Sequence, residues 1–161
     1  MVLHTKIQHQ RFINMKRHPA LAHLSREHHG ALILARLLQK NAPAYKGLPT
    51  DTRGKADYAL KFYKDELVKH FEAEEKVLNL VTGINESLDS FAGTIFREHR
   101  QLHELFSLIA GRSDDPEHLD ELGRLLELHI RKEEREVFPV IEQSCNETLM
   151  RTIDATLSSA K

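Results

Sequence analysis

Apolar residues recur along most of the chain at intervals of three and four positions, the spacing that one face of an α-helix requires. This pattern predicts four long amphipathic helices. They span roughly residues 19–40, 51–81, 86–112 and 116–143. Pro19 suits the first turn of the first helix, Gly83 suits the end of the second, and Asn146 can cap a short final helix. No alternating strand pattern competes with this interpretation, so the sequence predicts an all-α fold.

Length and connections predict how these helices are arranged. A chain of 161 residues is long enough to bury a core and is expected to form one domain. Four long helices with short connections favour an antiparallel up-down-up-down four-helix bundle, to which the short C-terminal helix is added. We therefore expect an N-terminal arm over residues 1–18, the bundle over residues 19–145 and the C-terminal helix over residues 146–161.

The composition limits which functional classes and which cellular compartment we expect. The formal net charge is -1 and charges of both signs are interspersed, which gives no reason to expect a nucleic-acid or acidic-membrane partner. The single Cys145 cannot form an internal disulfide bond, as expected in a reducing compartment. The N-terminal residues do not resemble a signal peptide, and no segment is long enough to span a bilayer. We expect a cytoplasmic protein, and the oligomeric state stays open.

Histidine is unusually frequent, with 11 residues, and several of them share a spacing. The segments His70–Glu75 and His129–Glu134 share one residue pattern, which is a histidine, an apolar residue, two variable positions and two glutamates. Between these segments lie His99 and His103, which are four residues apart. Residues four apart share one helix face and are separated by ~6 Å along the axis. Three segments therefore each present two possible metal ligands in one direction.

The predicted topology brings the histidines to one height in the bundle. The beginnings of the first and third helices of an antiparallel bundle lie level with the ends of the second and fourth. At ~1.5 Å per residue, the heights of four histidines agree within roughly 8 Å. These four are His28, His70, His99 and His129. Their convergence favours a metal site over the alternative, a metal-free bundle with solvated polar residues.

The candidate ligands also suggest which metal would bind. Glu74 and Glu133 lie on apolar stripes, where a buried carboxylate costs several kcal/mol unless it is paired or bound to metal. Five imidazoles and two carboxylates exceed the needs of one tetrahedral zinc and are too rich in nitrogen for calcium or magnesium. The mixture suits iron, with zinc or manganese as possible substitutes. The Glu-x-x-His signature of ferritin-like di-iron proteins does not occur in the chain.

A count of coordination positions predicts room for a ligand. Two octahedral irons need about twelve positions. Two bridging carboxylates fill about four of them, an oxo or hydroxo bridge fills about two, and five histidines fill about five. About one position remains, so the site should accept one small exogenous ligand.

The order of the candidate ligands resembles that of the hemerythrin-like, or HHE cation-binding, domain family over roughly residues 19–142. In chain order the matching residues are His28, His70, Glu74, His99, His103, His129 and Glu133. The segments Leu24–His28 and His129–Glu142 look like the family's first-helix and fourth-helix motifs. The resemblance implies a non-haem di-iron centre that is bridged by Glu74 and one carboxylate of the fourth helix and binds O2 or a related small molecule.

Two positions have alternatives. The oxygen-carrying hemerythrins use an aspartate five residues after the last histidine, where this chain has Glu134, whereas many bacterial relatives use a glutamate four residues after it, here Glu133. A spacing of four keeps the two ligands within about 40° on the helix, while five separates them by about 140°, which favours Glu133. His28 is preferred to His29 because it lies on the apolar stripe. If His29 also reached the metal, the open position would close and the site would be structural.

Two further residues lie near these motifs. Tyr63 precedes His70 by two turns on the same helix face and could approach the metals, although a tyrosine on an apolar stripe is more often part of the core. His118 lies outside the level at which the histidines converge, and we expect it to be solvated.

Three hypotheses follow for the function. The first is a carrier, store or sensor that binds O2, NO or peroxide at the open position. The second is a di-iron redox enzyme that decomposes peroxide or reduces NO at that position. The third is an interaction module that iron stabilises. We prefer a binding protein to an oxidoreductase, but the spacing of the ligands does not separate the two.

Overall fold

The computed structural model describes residues 16–159, which contain five helices and no strand. Helix α1 spans Pro19–Leu38; α2 is continuous through Thr52–Phe62, Tyr63–Leu67 and Val68–Val81; α3 spans Glu86–Ser107; α4 is continuous through Pro116–Lys132, Glu133–Val137 and Phe138–Ser144; α5 spans Glu147–Ser158. The predicted all-α fold is confirmed. Most of the predicted N-terminal arm, residues 1–15, lies outside the described residues. Within residues 16–159, no helix combines the length and the apolar character that crossing a membrane requires.

Side-chain caps mark where the five described helices begin, and at α1 the cap is Nδ1 of His18, which accepts from the N–H of Ala20. The residues before α2, α3, α4 and α5 each accept a hydrogen bond from a backbone N–H in the first turn. These residues are Asp51, Asn85, Asp115 and Asn146. Each cap satisfies a backbone donor that has no partner within the helix. The cap predicted at Asn146 is confirmed.

The buried apolar residues form two clusters, which we call core A and core B. Core A includes Leu21, Leu24, Val77, Val81, Leu88, Ile95, Val137, Ile141, Met150 and Ile153. Core B includes Leu34, Leu38, Leu67, Phe71, Leu102, Phe106, Leu122 and Leu126. Along α1 and α3 the apolar residues pass from core A to core B, and along α2 and α4 they pass from core B to core A. In all four helices the change occurs beside a buried histidine.

Helices α1 and α4 approach each other closely at Gly123. A Cβ atom added to this glycine would lie 2.5 Å from the carbonyl oxygen of Ala35 and 3.0 Å from the Cβ of Leu38. The first distance is shorter than real Cβ contacts allow, so any side chain at this position would push the two helices apart. The missing side chain of Gly123 therefore sets the spacing between α1 and α4 next to core B.

Two π-helical turns interrupt the regular hydrogen bonding of α2 and α4. They span Tyr63–Leu67 and Glu133–Val137, and each closes with a backbone hydrogen bond over five residues. A π turn holds one additional residue, which rotates the residues before it by about 100° relative to those after it. The second turn is followed by Pro139, whose ring lacks the N–H that a regular helix would use, and α4 continues beyond it. Both turns adjoin the polar layer between the cores.

Candidate metal centre

Six polar side chains are buried between core A and core B. Each is at most 5% exposed: His28, His70, Glu74, His99, His129 and Glu133. Their nitrogen and oxygen atoms form two groups, and within each group the atoms lie within 4.8 Å of one another. One group contains His28 and His70, the other contains His99 and His129, and both contain Glu74 and Glu133. Each group combines two imidazoles with two shared carboxylates and could hold a metal ion.

The four histidines direct the same ring nitrogen, Nε2, towards the shared carboxylates. The Nε2 atoms of His28 and His70 lie 3.0 Å and 2.7 Å from Oε1 of Glu74. The Nε2 atom of His99 lies 3.1 Å from the other oxygen of that carboxylate, Oε2. On the opposite side, Oε2 of Glu133 lies 3.1 Å from Nε2 of His28 and 3.4 Å from Nε2 of His129. The two oxygens of Glu74 therefore face different groups, as a bridging carboxylate requires.

The other ring nitrogen, Nδ1, of each of these histidines contacts a carboxylate farther from the centre. The distances to Nδ1 are 2.6 Å for Glu134 and His28, 2.6 Å for Glu27 and His70, 2.8 Å for Glu75 and His99, and 2.8 Å for Glu98 and His129. Each carboxylate lies on the helix before the one that carries its histidine, and the carboxylate for the histidine of α1 lies on α4. The four pairs therefore connect the four helices in a closed ring. We call these four glutamates the outer carboxylates.

The outer carboxylates determine which nitrogen of each histidine can bind a metal. An ionised carboxylate only accepts hydrogen bonds, so each Nδ1 must carry the proton and donate it. The lone pair of the neutral ring then lies on Nε2, which faces the centre. Three outer carboxylates contact a cationic or titratable side chain in turn: Arg17 with Glu134, His23 with Glu27, and Lys132 with Glu98.

Several buried atoms at the centre have no hydrogen-bond partner. They are Nε2 of His70, Nε2 of His129 and Oε2 of Glu133. The Nε2 atom of His70 is close to Glu74 but lacks the geometry of a hydrogen bond. Leaving a buried polar atom without a partner costs about 1–3 kcal/mol. All three atoms are potential metal ligands that face the shared space, so this donor set fits a metal.

The electrostatics of the cluster favour bound cations. Burial lowers the pKa of His28, but the close carboxylates of Glu133, Glu134 and Glu74 outweigh it and raise the pKa to about 12. Burial likewise lowers the pKa of His70, while the charge of Glu74 and a hydrogen bond with Glu27 raise it to about 9. These imidazoles therefore bind protons strongly because the surrounding carboxylates supply excess negative charge. A metal ion can take the place of those protons.

Three predicted or alternative ligands lie outside both groups. His29 is exposed on the surface of α1. Glu134 contacts Nδ1 of His28 and therefore lies one layer farther out than Glu133. His103 is partly exposed, and its Nδ1 lies 2.6 Å from the hydroxyl of Tyr63. The structure thus brings together six of the seven residues that the sequence predicts as ligands, and His103 is the one it leaves apart.

Tyr63 does not share the face of His70 that regular helical spacing predicts, because the π turn Tyr63–Leu67 separates them. The additional residue rotates Tyr63 by about 100°, towards α3. There its ring stacks on Phe106, with centroids 4.5 Å apart and planes at 6°, and its hydroxyl contacts His103. No simple residue pattern marks this π turn in advance.

His118, which we expected to be solvated, is 2% exposed, so that prediction is wrong. Its Nε2 donates a hydrogen bond to the carbonyl oxygen of Leu105 at 2.9 Å. The first turn of α4 therefore buries this ring against the end of α3 instead of presenting it to water.

Sequence reasoning also missed three of the outer carboxylates: Glu27, Glu75 and Glu98. A signal for them exists, because Glu-His occurs at 27–28 and again at 98–99. Each of these two pairs is followed on the next helix by His-x3-Glu-Glu, the segment already recognised as a repeat, whereas the third Glu-His of the chain, at 117–118, is not. The internal repeat therefore covers two helices at a time, and its second glutamates belong to the ring around the centre and not to a solvated face.

Comparison with known proteins agrees with this geometry. The family model described as the Hemerythrin HHE cation binding domain matches residues 20–141, which include every residue of the two groups and all four outer carboxylates. The searches of curated proteins and of solved structures gave no match. The match covers about three quarters of the chain, and it confirms the resemblance that the order of the candidate ligands indicated. The chain belongs to the hemerythrin HHE cation-binding domain family.

Proposed function

We propose that the chain is a non-haem di-iron protein that binds O2, or a related small ligand such as NO or peroxide, as a carrier, store or sensor. The observation that supports this most strongly is the sharing of Glu74 and Glu133 between two groups of buried histidines. A carboxylate shared in this way can bridge two ions, and imidazole mixed with carboxylate suits iron. Zinc and manganese remain possible substitutes.

The proposal includes an antiparallel up-down-up-down arrangement of α1 to α4 within a bundle over residues 19–145. Its support is the alternation of the two cores: α1 and α3 pass from core A to core B, whereas α2 and α4 pass from core B to core A. When successive helices run in opposite directions, the side chains of their middle turns lie at one height in the bundle. That level is where the buried histidines lie.

In the proposed centre, His28 and His70 would hold one ion and His99 and His129 the other, and Glu74 and Glu133, which belong to both groups, would be ligands shared by the two ions. Iron, when bound, supplies the reversible change of oxidation state that binding of O2 requires. Two octahedral ions have about twelve positions, of which four imidazoles and two bridging carboxylates fill about eight. About four positions are then left for water and a small exogenous ligand.

The surrounding residues of the chain orient these ligands and keep them dry. The outer carboxylates fix the ring orientation of the histidines and increase the basicity of Nε2. The ring of Phe71 stacks on His99 with centroids 4.3 Å apart, and Phe138 stacks on His28 at 5.6 Å. These aromatic rings and the two cores limit the access of bulk water, which favours a small and weakly polar ligand.

A redox enzyme that decomposes peroxide or reduces NO is the second candidate. The observation that favours it is the hydrogen bond between Tyr63 and His103 beside the centre. A tyrosine and a histidine in contact can hold and transfer a proton. Reduction of NO to N2O consumes protons, and decomposition of peroxide to water and O2 must move protons between oxygen atoms, whereas simple reversible binding needs no such relay.

A spectroscopic experiment separates these candidates. Protein purified without oxygen and loaded with ferrous iron is exposed to O2, and the visible spectrum is recorded before exposure, after it, and after O2 is removed. A carrier gives a new absorption that disappears on removal of O2. Irreversible oxidation in the first cycle contradicts reversible binding, and evolution of O2 from added peroxide supports the enzyme. Glu74→Gln should lose the response, whereas Glu72→Gln, a matched change at an exposed position of the same helix, should keep it.

A further inference from the structure

Arg17, the second residue before α1, connects the beginning of α1 to α4. Its Nε donates a hydrogen bond to the hydroxyl of Ser25 at 3.2 Å, and its Nη1 donates to Glu142 at 3.0 Å. Its Nη2 donates both to the carboxylate and to the backbone carbonyl oxygen of Glu134, each at 2.8 Å. The side chain is 19% exposed, so these contacts are largely shielded from water. All three guanidinium nitrogens are engaged, which the single nitrogen of a lysine could not reproduce.

The carbonyl oxygen of Glu134 requires this contact because of the π turn in α4. In a regular α-helix the oxygen would accept from the N–H of Phe138, but that N–H bonds to the carbonyl oxygen of Glu133. In continued π-helical bonding it would accept from residue 139, which is Pro139 and has no N–H. A backbone carbonyl that is removed from water needs a partner. Arg17 therefore supplies, from outside the helix, the donor that Pro139 lacks.

The same guanidinium contacts two residues that hold the ring of His28. One oxygen of Glu134 accepts from Arg17, and the other lies 2.6 Å from Nδ1 of His28. The guanidinium also lies over the ring of Phe138, 5.3 Å from its centroid, and Phe138 stacks on His28. Arg17 is therefore placed to act on a predicted metal ligand through two of its neighbours.

Arg17 differs from the other partners of the outer carboxylates in where it lies. His23, which contacts Glu27, belongs to α1, and Lys132, which contacts Glu98, belongs to α4. Arg17 precedes α1 and contacts the backbone of α4 as well as a carboxylate. A residue outside the four bundle helices thus fixes the turn that directs Glu133 and Glu134 to different places.

We propose that Arg17 is a positioning residue that fixes the π turn of α4 and, through Glu134, orients the ring of His28 for metal binding. This role rests on the proposed metal centre and adds to it a residue that precedes the first helix. Arg17 balances the charge of Glu134, satisfies its carbonyl oxygen and holds its carboxylate against Nδ1 of His28. Glu134 is thereby kept outside the centre, while Glu133 faces the shared space.

The first test measures which histidine responds to the loss of Arg17. In protein loaded with zinc alone, Arg17→Ala should change the Nδ1 nitrogen NMR shift of His28 in the same direction as Glu134→Ala does. The shifts of the other three cluster histidines should stay nearly unchanged, because their outer carboxylates do not contact Arg17. A merely structural role would instead alter all four signals through loosened packing, or none of them.

The second test is a double-variant cycle on zinc affinity, measured by competition with a chelator. Arg17→Ala should weaken zinc binding about tenfold without changing the number of ions bound, at the lower end of the range for lost partners of metal ligands. Because Arg17 acts mainly through Glu134, Arg17→Ala/Glu134→Ala should bind zinc within about twofold of Glu134→Ala alone. Arg135→Ala is the matched control, since it removes the same charge from an exposed position of the π turn and should bind zinc as the wild type does.

Glu142→Ala provides a variant that leaves the metal ligands, the outer carboxylates and Arg17 itself intact. It removes the acceptor of Nη1 of Arg17 and of the N–H of His18. The loosened guanidinium should change the His28 signal in the same direction as Arg17→Ala does, by a smaller amount. This variant decides the question if Arg17→Ala does not fold.

The possible failures are distinguishable. Zinc-loaded variants in which the His28 signal stays at its wild-type position would overturn the role of Arg17 and leave the metal centre intact. Factors of Arg17→Ala and Glu134→Ala that multiply in the double variant would also overturn it, because Arg17 would then not act through Glu134. A wild-type protein that takes up no zinc would overturn the proposed metal centre, and the role of Arg17 with it.

Discussion

The carboxylate of Glu134 on α4 lies 2.6 Å from Nδ1 of His28 on α1 and closes the ring of outer carboxylates. The same carboxylate contacts Arg17 at 2.8 Å, which balances its charge. Burial raises the pKa of Glu134, but hydrogen bonds from His28, Ser25 and Arg17 outweigh it and lower the pKa to about 2. Glu134 is therefore ionised and orients His28, while its neighbour Glu133 faces the centre.

This relationship predicts different consequences for substitutions at two adjacent glutamates. Glu134→Ala should weaken metal binding by roughly 10–100-fold without changing the number of ions bound, because it removes only the partner that orients His28. Glu133→Ala should lower the number of ions bound, because it removes a ligand that both groups share. Metal content and competition with a chelator measure the two quantities.

Glu136→Ala is the matched control, because this residue is exposed on the same helix. It should bind metal as the wild type does. If Glu134→Ala lowered the number of bound ions while Glu133→Ala preserved it, the roles of the two glutamates would be reversed.

The ring of outer carboxylates also predicts effects that cross between helices. Glu27 directly precedes His28 in the sequence but contacts His70, and Glu98 directly precedes His99 but contacts His129. Glu27→Ala should therefore change the Nδ1 nitrogen NMR shift of His70 in zinc-loaded protein and leave that of His28 nearly unchanged. Glu98→Ala should act in the same way on His129. A change confined to the sequence neighbour would contradict the ring.

Gly123 predicts a large loss of stability for a small substitution. In Gly123→Ala the new Cβ would lie 2.5 Å from the carbonyl oxygen of Ala35, so α1 and α4 must separate. We expect a loss of about 1–3 kcal/mol in the free energy of unfolding, as for other overpacked positions. Denaturation by urea measures this quantity.

Gly93→Ala is the comparison, because its Cβ would have the flexible end of Arg97 at 3.5 Å as its nearest neighbour. Alanine is a better helix former than glycine, so this variant should gain about 0.5–1 kcal/mol. The account of the contact between α1 and α4 fails if the two variants change stability in the same direction.

Removal of metal should make stability depend on pH. Burial lowers the pKa of His70, but the charge of Glu74 and the bond with Glu27 raise it to about 9. Because this value exceeds the unfolded value of ~6.5, the protonated ring stabilises the folded metal-free protein fully below about pH 6.5, and the contribution is lost as the pH rises through about 9. Thermal denaturation of chelator-treated protein should show Tm falling over this interval. Metal-loaded protein should show a higher Tm and a smaller dependence of Tm on pH. A Tm that rises with pH in the metal-free protein would contradict this.

Much of the fold follows from the sequence because single helices are determined by local features. Pro19 indicated the first turn of α1, and the side chain of Asn146 indicated where α5 begins. The site was predictable where ligands share one helix face, as His70 and Glu74 do. The position of Glu74 and Glu133 on apolar stripes then indicated that these carboxylates are buried and need a metal ion or another partner.

The remaining features depend on how the helices are rotated against one another. Glu75 lies beside the apolar stripe, and only the position of α3 shows that its partner is His99. The π turn at Tyr63–Leu67 alters the helical phase by about 100°, so regular spacing placed Tyr63 near His70 and not beside His103. His103 itself fits the ligand spacing, but spacing does not reveal a competing hydrogen bond.

The central claim is that two ions share Glu74 and Glu133, and the number of irons bound per chain tests it most directly. Protein reconstituted with ferrous iron without oxygen, freed of excess metal and analysed by mass spectrometry for iron and by amino-acid analysis for protein, should contain two irons per chain. Glu72→Gln should give the same value. One iron per chain, or none, in the wild-type protein would contradict the claim.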